Sequence, residues 1–289
     1  MQNKRTLDDW LNWQETLMEE TIVLGLDRVQ IVYDLLFPNG VPYAVITVAG
    51  TNGKGSTVSF IDSIYQQSDF KVGTFTSPHL IIYNERFSVN GEMASDESIC
   101  QAFDVIEALR NETSLTYFEF STLAALVIFA YEKVEVAVLE VGLGGRLDSV
   151  NIVDPNVSII TNIAIDHIDY LGDTREAIGF EKAGIMRSDT PCICGDQDPP
   201  TSIQKQADDI GALLLFINEP YQGSIILKGE HQQHNAALAI EAVNQLQSML
   251  PLDKNQLYKG LEKANILARF QVKTINNKTI VLDVAHNEA

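Results

Sequence analysis

The chain has 289 residues, enough to bury about three quarters of its unfolded surface in one large domain or two smaller ones without disulfide or metal staples. Hydrophobic residues make up 45% and charged residues 20%, which excludes a disordered or fibrous protein. Lys and Arg total 20 against 39 Asp and Glu, a formal charge of -19 that repels phosphate backbones and anionic lipid, so nucleic acid and membrane partners are not expected.

β-rich runs alternate with helical patterns, which predicts an α/β fold with a mostly parallel sheet and helices on both faces. The first strand is expected over residues 43–48, entered after Pro42 and left through AGTNGKGS, with a helix over about 54–67. A strand at 72–76, helices near 96–110 and 118–131, and strands at 136–141 and 157–161 follow. Next come a helix at 175–186 capped by Asp173 or Thr174, a short strand at 191–194 and a weak helix near 202–209. A strand pair at 213–218 and 224–227 and helices near 235–249 and 254–264 complete this part. The closing run at 279–284 reads as a strand with nothing after it to pack on. One domain is therefore expected over residues 1–272, with 273–289 as a linker and the first strand of a second domain that is largely missing.

The longest uncharged apolar run, residues 120–131, falls short of the roughly 20 residues that span a bilayer. The opening MQNKRTLDDWLNWQE mixes both charges and has no apolar core of a secretory signal. With only three cysteines, a disulfide framework is not expected, and a cytoplasmic location is. Cys192 and Cys194 lack a second ligand pair for zinc and read as core residues.

Gly50, Thr51, Asn52, Gly53, Lys54, Gly55, Ser56 and Thr57 lie between a buried strand and a helix, where backbone N–H groups and the helix N-terminus form an anion cradle. The segment is a variant of the usual phosphate loop, with Gly55 rather than Ser or Thr after Lys54 and Val48 at the early glycine position. Phosphoryl transfer to a carboxylate calls for Mg²⁺ with hard oxygen ligands. Candidates stand at strand ends, where open α/β sheets bind ligands: Ser77 in TSPHL, Glu140 closing VEVAVLE, and His167 in IAIDHIDYLG. Taken alone, Ser77 reads as a turn cap. His167 reads equally as part of a solvated charged turn or as a metal ligand. Glu140 after an apolar run reads as functional, because an unpartnered buried carboxylate is costly. Lys182, on an otherwise apolar helix face, reads locally as a snorkelling lysine.

AGTNGKGST, TSPHL, NERF, LTYFEFSTLAAL, LEVGLGGRLDSVNIV, IAIDHIDYLG, EKAGIMR, ARFQ and LDVAHN together resemble the folylpolyglutamate synthases, specifically the bacterial bifunctional dihydrofolate synthase/folylpolyglutamate synthase branch of the Mur ligase superfamily. The resemblance runs in order from about residue 21 to residue 287. It implies a central Mur ligase domain containing the phosphate loop, a Rossmann-like C-terminal domain, and ATP-dependent ligation in two steps. The γ-phosphoryl group passes to a pteroate or folate carboxylate, and the amino group of L-glutamate displaces phosphate from the acyl phosphate.

By the resemblance, Thr51, Asn52, Gly53, Lys54, Gly55 and Ser56 hold ATP, with Asn235, Arg269 and Asp283 as further nucleotide contacts. Ser77, Glu140 and His167 match Mg²⁺ ligands, and Lys182 matches the lysine whose carbamylation supplies a ligand to a second metal. Lys54, Lys182 and His167 are the implied catalytic residues. LGLDRV and TYFE look like dihydropteroate-binding segments, which assigns Leu24, Gly25, Arg28, Thr116, Tyr117, Phe118, Glu119 and Arg146 to substrate. Phe118 is placed to stack on the pteridine, and Arg28, Arg86 and Arg146 to offset the acidic surface. His286 matches a histidine at the opening of the second domain. Substrates are then dihydropteroate or a reduced folate and L-glutamate, and a monomer is expected. A Mur-type peptidoglycan ligase is disfavoured by LGLDRV before the phosphate loop, and an ATP- and folate-binding fragment without turnover is the other alternative. The chain reads AHNE where the family reads AHNP, and the glutamate-binding surface that the resemblance places in the second domain is expected to be missing from this sequence.

Overall fold

The computed structural model describes residues 5–18, 22–275 and 278–284. Two helices, α1 (Leu7–Gln14) and α2 (Asp27–Leu36), precede the first strand, β1 (Ala44–Ala49). Then follow α3 (Lys54–Tyr65), β2 (Val72–Phe75), β3 (Phe87–Val89), β4 (Glu92–Met93), α4 (Asp96–Arg110), α5 (Tyr117–Glu132), β5 (Val136–Glu140) and β6 (Val157–Ile160). The rest comprises α6 (Ile168–Leu171), α7 (Arg175–Ala183), β7 (Pro191–Cys194), α8 (Thr201–Ile210), β8 (Leu213–Phe216), α9 (Glu230–Gln245), α10 (Lys254–Lys263), β9 (Gln271–Ile275) and β10 (Lys278–Leu282).

The main sheet has the order β4-β3-β2-β5-β1-β6-β7-β8. The six strands from β2 to β8 in that order are parallel, and β3 and β4 extend one edge antiparallel. From β1 the chain crosses to β2 on one side, returns to β5 beside β1, then crosses to β6 on the other. The strand order therefore reverses around β1, and the crevice at its C-terminal end is where such a sheet binds ligands.

Side chains alternate across the sheet with period two. Val45 and Ala49 of β1, with Ala137 and Leu139 of β5, face a core built with α1, α2, α4, α5, α7 and α8. Ile46 and Val48, with Val136 and Val138, face a second core built with α3, α9 and α10. Both faces being covered is what makes these strands continuously apolar. Helix α5 is buried over most of its length, from Glu119 to Phe129, because α4 and α1 cover the side turned away from the sheet. Its start is a capping box between Thr116 and Glu119.

Helices α3 and α10 approach closely at Gly260, where an added Cβ would stand 2.3 Å from Ile64 Cα. Gly260→Ala should therefore destabilise the chain by about 1–3 kcal/mol through overpacking, despite the better helix propensity of alanine. Urea unfolding measures this; a stability equal to or above that of the native sequence refutes the close approach.

Some expected elements shift. Residues 224–227 form no strand: Ile225 and Leu227 instead pack as partly buried plugs against the core under α3, α9 and α10. The helix expected from residue 235 begins at Glu230, directly after Gly229 at φ 112°, and ends at Gln245. The helix expected to reach residue 186 ends at Ala183. The final strand pairs antiparallel with β9, and the boundary expected between residues 272 and 273 falls inside β9. Among the described residues no helix is long and apolar enough to cross a membrane. His286 lies outside the described residues.

Candidate active site

A cleft of about 630 Å³ opens at the C-terminal end of the sheet. Its lining includes Thr51, Asn52, Gly53, Lys54, Gly55, Ser56, Ser77, Glu140, His167, Lys182, Asn235, Arg269 and Asp283. Every residue that the sequence assigns to ATP, metal or catalysis thus lines one cavity.

The phosphate loop owes its path to two glycines. Gly50 has φ 149° and an added Cβ would fall 1.8 Å from Thr161 Oγ1, so only glycine fits there. Gly53, at φ 83°, immediately precedes α3, and an added Cβ would meet Asn235 Oδ1 at 2.5 Å. Because Gly53 cannot cap α3 with a side chain, the first-turn N–H groups of the helix remain available to an anion. Lys54 curls back and its Nζ donates to Gly50 O at 3.0 Å and Thr51 O at 3.2 Å. Burial lowers its pKa, while the nearby Glu140 carboxylate acts in the opposite direction.

Gly55, the departure from the usual phosphate loop, borders Glu140: an added Cβ would stand 3.9 Å from both carboxylate oxygens. Glu140 is 5% exposed, and its Oε2 accepts the Ser77 N–H at 3.1 Å. Burial raises its pKa, against the pull of Lys54 and the Ser77 hydrogen bond. The loop after β5 is shaped by Asp148, which is buried and accepts the N–H groups of Leu143 at 2.8 Å and Val150 at 2.9 Å. Desolvation pushes Asp148 up to about 6.

His167 adopts φ 50° beyond β6, is exposed, and its N–H donates to Asp166 Oδ1 at 2.8 Å. Lys182 is 3% exposed on α7, and its Nζ makes no hydrogen bond among the described residues. Burial, reinforced by the charge of Lys54, lowers its pKa from 10.5 to about 7. The local reading of a snorkelling lysine is therefore overturned: the helix leads the side chain into the cleft. Asn235 Nδ2 donates to Gln232 Oε1 at 3.1 Å, and Asp283 Oδ2 accepts the Phe270 N–H at 2.7 Å.

Among the described residues no three His, Cys, Asp or Glu side chains gather as a metal cage. Mg²⁺ takes one or two carboxylates and leaves the rest of its shell to phosphate and water. The Ser77 hydroxyl and the buried Glu140 carboxylate are suitable oxygen donors, and Lys182 becomes one only after modification.

The pterin-assigned residues stand apart from that lining. LGLDRV and TYFE are nevertheless joined: Arg28 Nη2 meets Glu119 Oε1 at 2.9 Å and Val23 O at 2.9 Å, while Gly25 N–H donates to Leu147 O at 3.3 Å. Arg28 and Arg146 are thus each paired with a carboxylate, the latter with Glu181 at 2.8 Å. Tyr117 lies under the Arg86 guanidinium. Phe118 is tilted against Phe75 at 5.8 Å and touches the floor of the cleft at Gly142, where an added Cβ would fall 2.6 Å from its ring.

The family model for the Mur ligase middle domain matches residues 48–207. The dihydrofolate synthase/folylpolyglutamate synthase of Escherichia coli K12 is 40% identical over 297 aligned residues, covering 97% of this chain and 70% of its own. The chain belongs to this family of Mur ligases. Escherichia coli FolC, solved in complex with DHPP and ADP, superposes with a TM-score of 0.90 at 39% identity, covering 98% of this chain and 72% of that one. The Yersinia pestis bifunctional enzyme, solved with AMPPNP and Mn, gives 0.88 at 38% identity, covering 99% and 73%. The peptidoglycan-ligase alternative is thereby set aside.

Sequence reasoning missed Asp148, Asp166, Gln197, Gln232, His231 and His234, of which all but Asp148 line the cleft. The polar HQQHN run inside a helical pattern was the available signal for the last three.

Proposed function

We propose that this cleft joins L-glutamate to dihydropteroate or a reduced folate at the expense of ATP, through an acyl phosphate, as the family does. The observation that carries the reading is the convergence of the Gly50–Ser56 loop, Glu140 and Lys182 on one cavity at the switch point of the sheet. The loop N–H groups, Lys54, Asn235, Arg269 and Asp283 bind and orient the nucleotide, with the γ-phosphate toward the Glu140 side. Ser77, Glu140, His167 and carbamylated Lys182 would hold divalent metal, which when bound neutralises the approaching phosphate and carboxylate charges. Lys54 offsets charge on the phosphoryl oxygens as the substrate carboxylate attacks and ADP leaves. The glutamate amine then attacks the acyl carbon and expels phosphate.

The folate segment is Leu24, Gly25, Arg28, Thr116, Tyr117, Phe118, Glu119 and Arg146. Phe118 is well placed to bring an aromatic ring beside Gly142, next to the metal side of the cleft. A monomeric cytoplasmic protein belongs to the same reading, the free thiols being in keeping with a reducing compartment. Phosphate release from ATP that requires both dihydropteroate and L-glutamate is the expected result in solution. Nucleotide binding with no dependence of phosphate release on either substrate would leave the fragment reading standing.

A further inference from the structure

Beyond the cleft lining, a closed ring of hydrogen bonds ties three elements together. Ile163, in the loop after β6, has both backbone groups captured: its N–H donates to Asp196 Oδ2 at 2.6 Å, and its C=O accepts from Arg175 Nε at 2.9 Å. Arg175 and Asp196 are themselves paired, Nη2 to Oδ1, at 2.7 Å. Asp196 follows β7, is 5% exposed, and also accepts the Asp198 N–H at 3.0 Å. Arg175 opens α7, the helix that carries Lys182, and Ile163 precedes Asp166 and His167 in the same loop.

The other side of this loop is fixed to the phosphate loop. Thr51 N–H donates to Asn162 O at 3.0 Å, Asn52 N–H to Asn162 Oδ1 at 2.7 Å, and Ala164 N–H to Thr51 Oγ1 at 3.0 Å. Residues 162–164 are thus held between the nucleotide side and the Arg175–Asp196 pair.

We propose that Arg175 and Asp196 are a positioning pair for the metal side of the cleft, holding the loop of His167 and Lys182, the ligand to the second metal, at a fixed separation. The proposal rests on the reading of the cleft given above. An ion pair with one buried partner, as Asp196 is here beside a half-exposed Arg175, adds little net stability, because desolvation of the carboxylate offsets much of the attraction. Its geometric content is larger. The guanidinium presents several N–H donors in a rigid plane, and here Nε and Nη2 reach a backbone oxygen and a carboxylate at once. One nitrogen of a lysine cannot hold both in that fixed arrangement. The ring therefore registers the start of α7 against the loop that carries His167, and Lys182 follows from the helix.

Mn²⁺ titrated into the full chain with AMPPNP and bicarbonate, read by electron paramagnetic resonance, tests this. Arg175→Lys and Asp196→Asn should each weaken the second Mn²⁺ event about 10–100-fold, with metal-free AMPPNP affinity held within about twofold. Carbamate at Lys182, read by ¹³C NMR from labelled bicarbonate, should fall in parallel. Gly260→Ala, remote from the cleft, supplies a destabilised control that should keep both Mn²⁺ events. Native Mn²⁺ affinity in both pair variants overturns the proposal, as does an equal loss in Gly260→Ala. A native-sequence chain that binds no second Mn²⁺ overturns the reading of the cleft and this inference with it.

Discussion

Replacing Lys54 by alanine is expected to lower affinity for ATP analogues about 10²–10³-fold while changing the unfolding free energy by less than about 1 kcal/mol. The two effects separate because of how the side chain is held in the free chain. Its ammonium is buried, and its hydrogen bonds go to two backbone oxygens, Gly50 O and Thr51 O. Burial lowers its pKa even though Glu140 lies near, so the charge is under-compensated before nucleotide arrives. Removing it costs two hydrogen bonds but relieves a desolvated charge, and these nearly cancel in stability. A triphosphate changes the balance, because charge-assisted hydrogen bonds then form inside a cleft, where screening is weaker than in bulk water. Calorimetric titration with AMPPNP and urea unfolding of the same variant supply both numbers. Unchanged affinity would refute the phosphate cradle; a large loss of stability would make Lys54 a structural residue.

The parallel sheet was legible because both of its faces are covered. Strands such as AVITVA and VAVLE are then buried at every position and apolar at all but Thr47 and Glu140, and the intervening helices carry their own periodicity. The phosphate loop was legible because its glycines answer local needs: a left-handed turn at Gly53 and contact with Thr161 at Gly50. Helices α1 and α2 were not anticipated, although Thr6 and Asp9 form a capping box just before an apolar stripe containing Trp10. Residues 224–227 misled because alternating apolar residues mark a core plug as well as a strand.

At the site, Glu140 could be read locally, since an apolar run ending in a carboxylate has few inexpensive explanations. Lys182 could not. Its helix pattern gives no sign that the face it occupies opens into a cleft, and the relevant neighbour, Lys54, is far away in sequence. The same distance hid the Arg175–Asp196 ring, which depends on β6 and β7 lying side by side. Resemblance supplied for Lys182 what local pattern lacked.

Lys182 should carry one added CO₂ when the chain is kept in bicarbonate, and Lys182→Met should abolish both that mass increase and the ¹³C carbamate signal. With its pKa lowered to about 7, a large share of the amine is neutral near pH 7, where an ordinary lysine is almost wholly protonated. The neutral Nζ forms a bond to the carbon of CO₂ and releases a proton to water, leaving an anionic carbamate. The charge change reverses the local electrostatics: repulsion from Lys54 becomes attraction, and attraction to Asp166 becomes repulsion. A divalent cation relieves the second term, so chelation should lower carbamate occupancy and Mn²⁺ should restore it. Without bicarbonate the linkage has a definite sign. The folded amine titrates near 7 and the unfolded one near 10.5, so the unfolded chain binds more protons between those values. Stability should therefore rise with pH across that window, by up to about 5 kcal/mol, from the lysine alone. The difference between native and Lys182→Met unfolding curves isolates this contribution from the other titrating groups. Parallel curves, together with an unmodified amine in metal-bound chain supplied with bicarbonate, would rule out the modification.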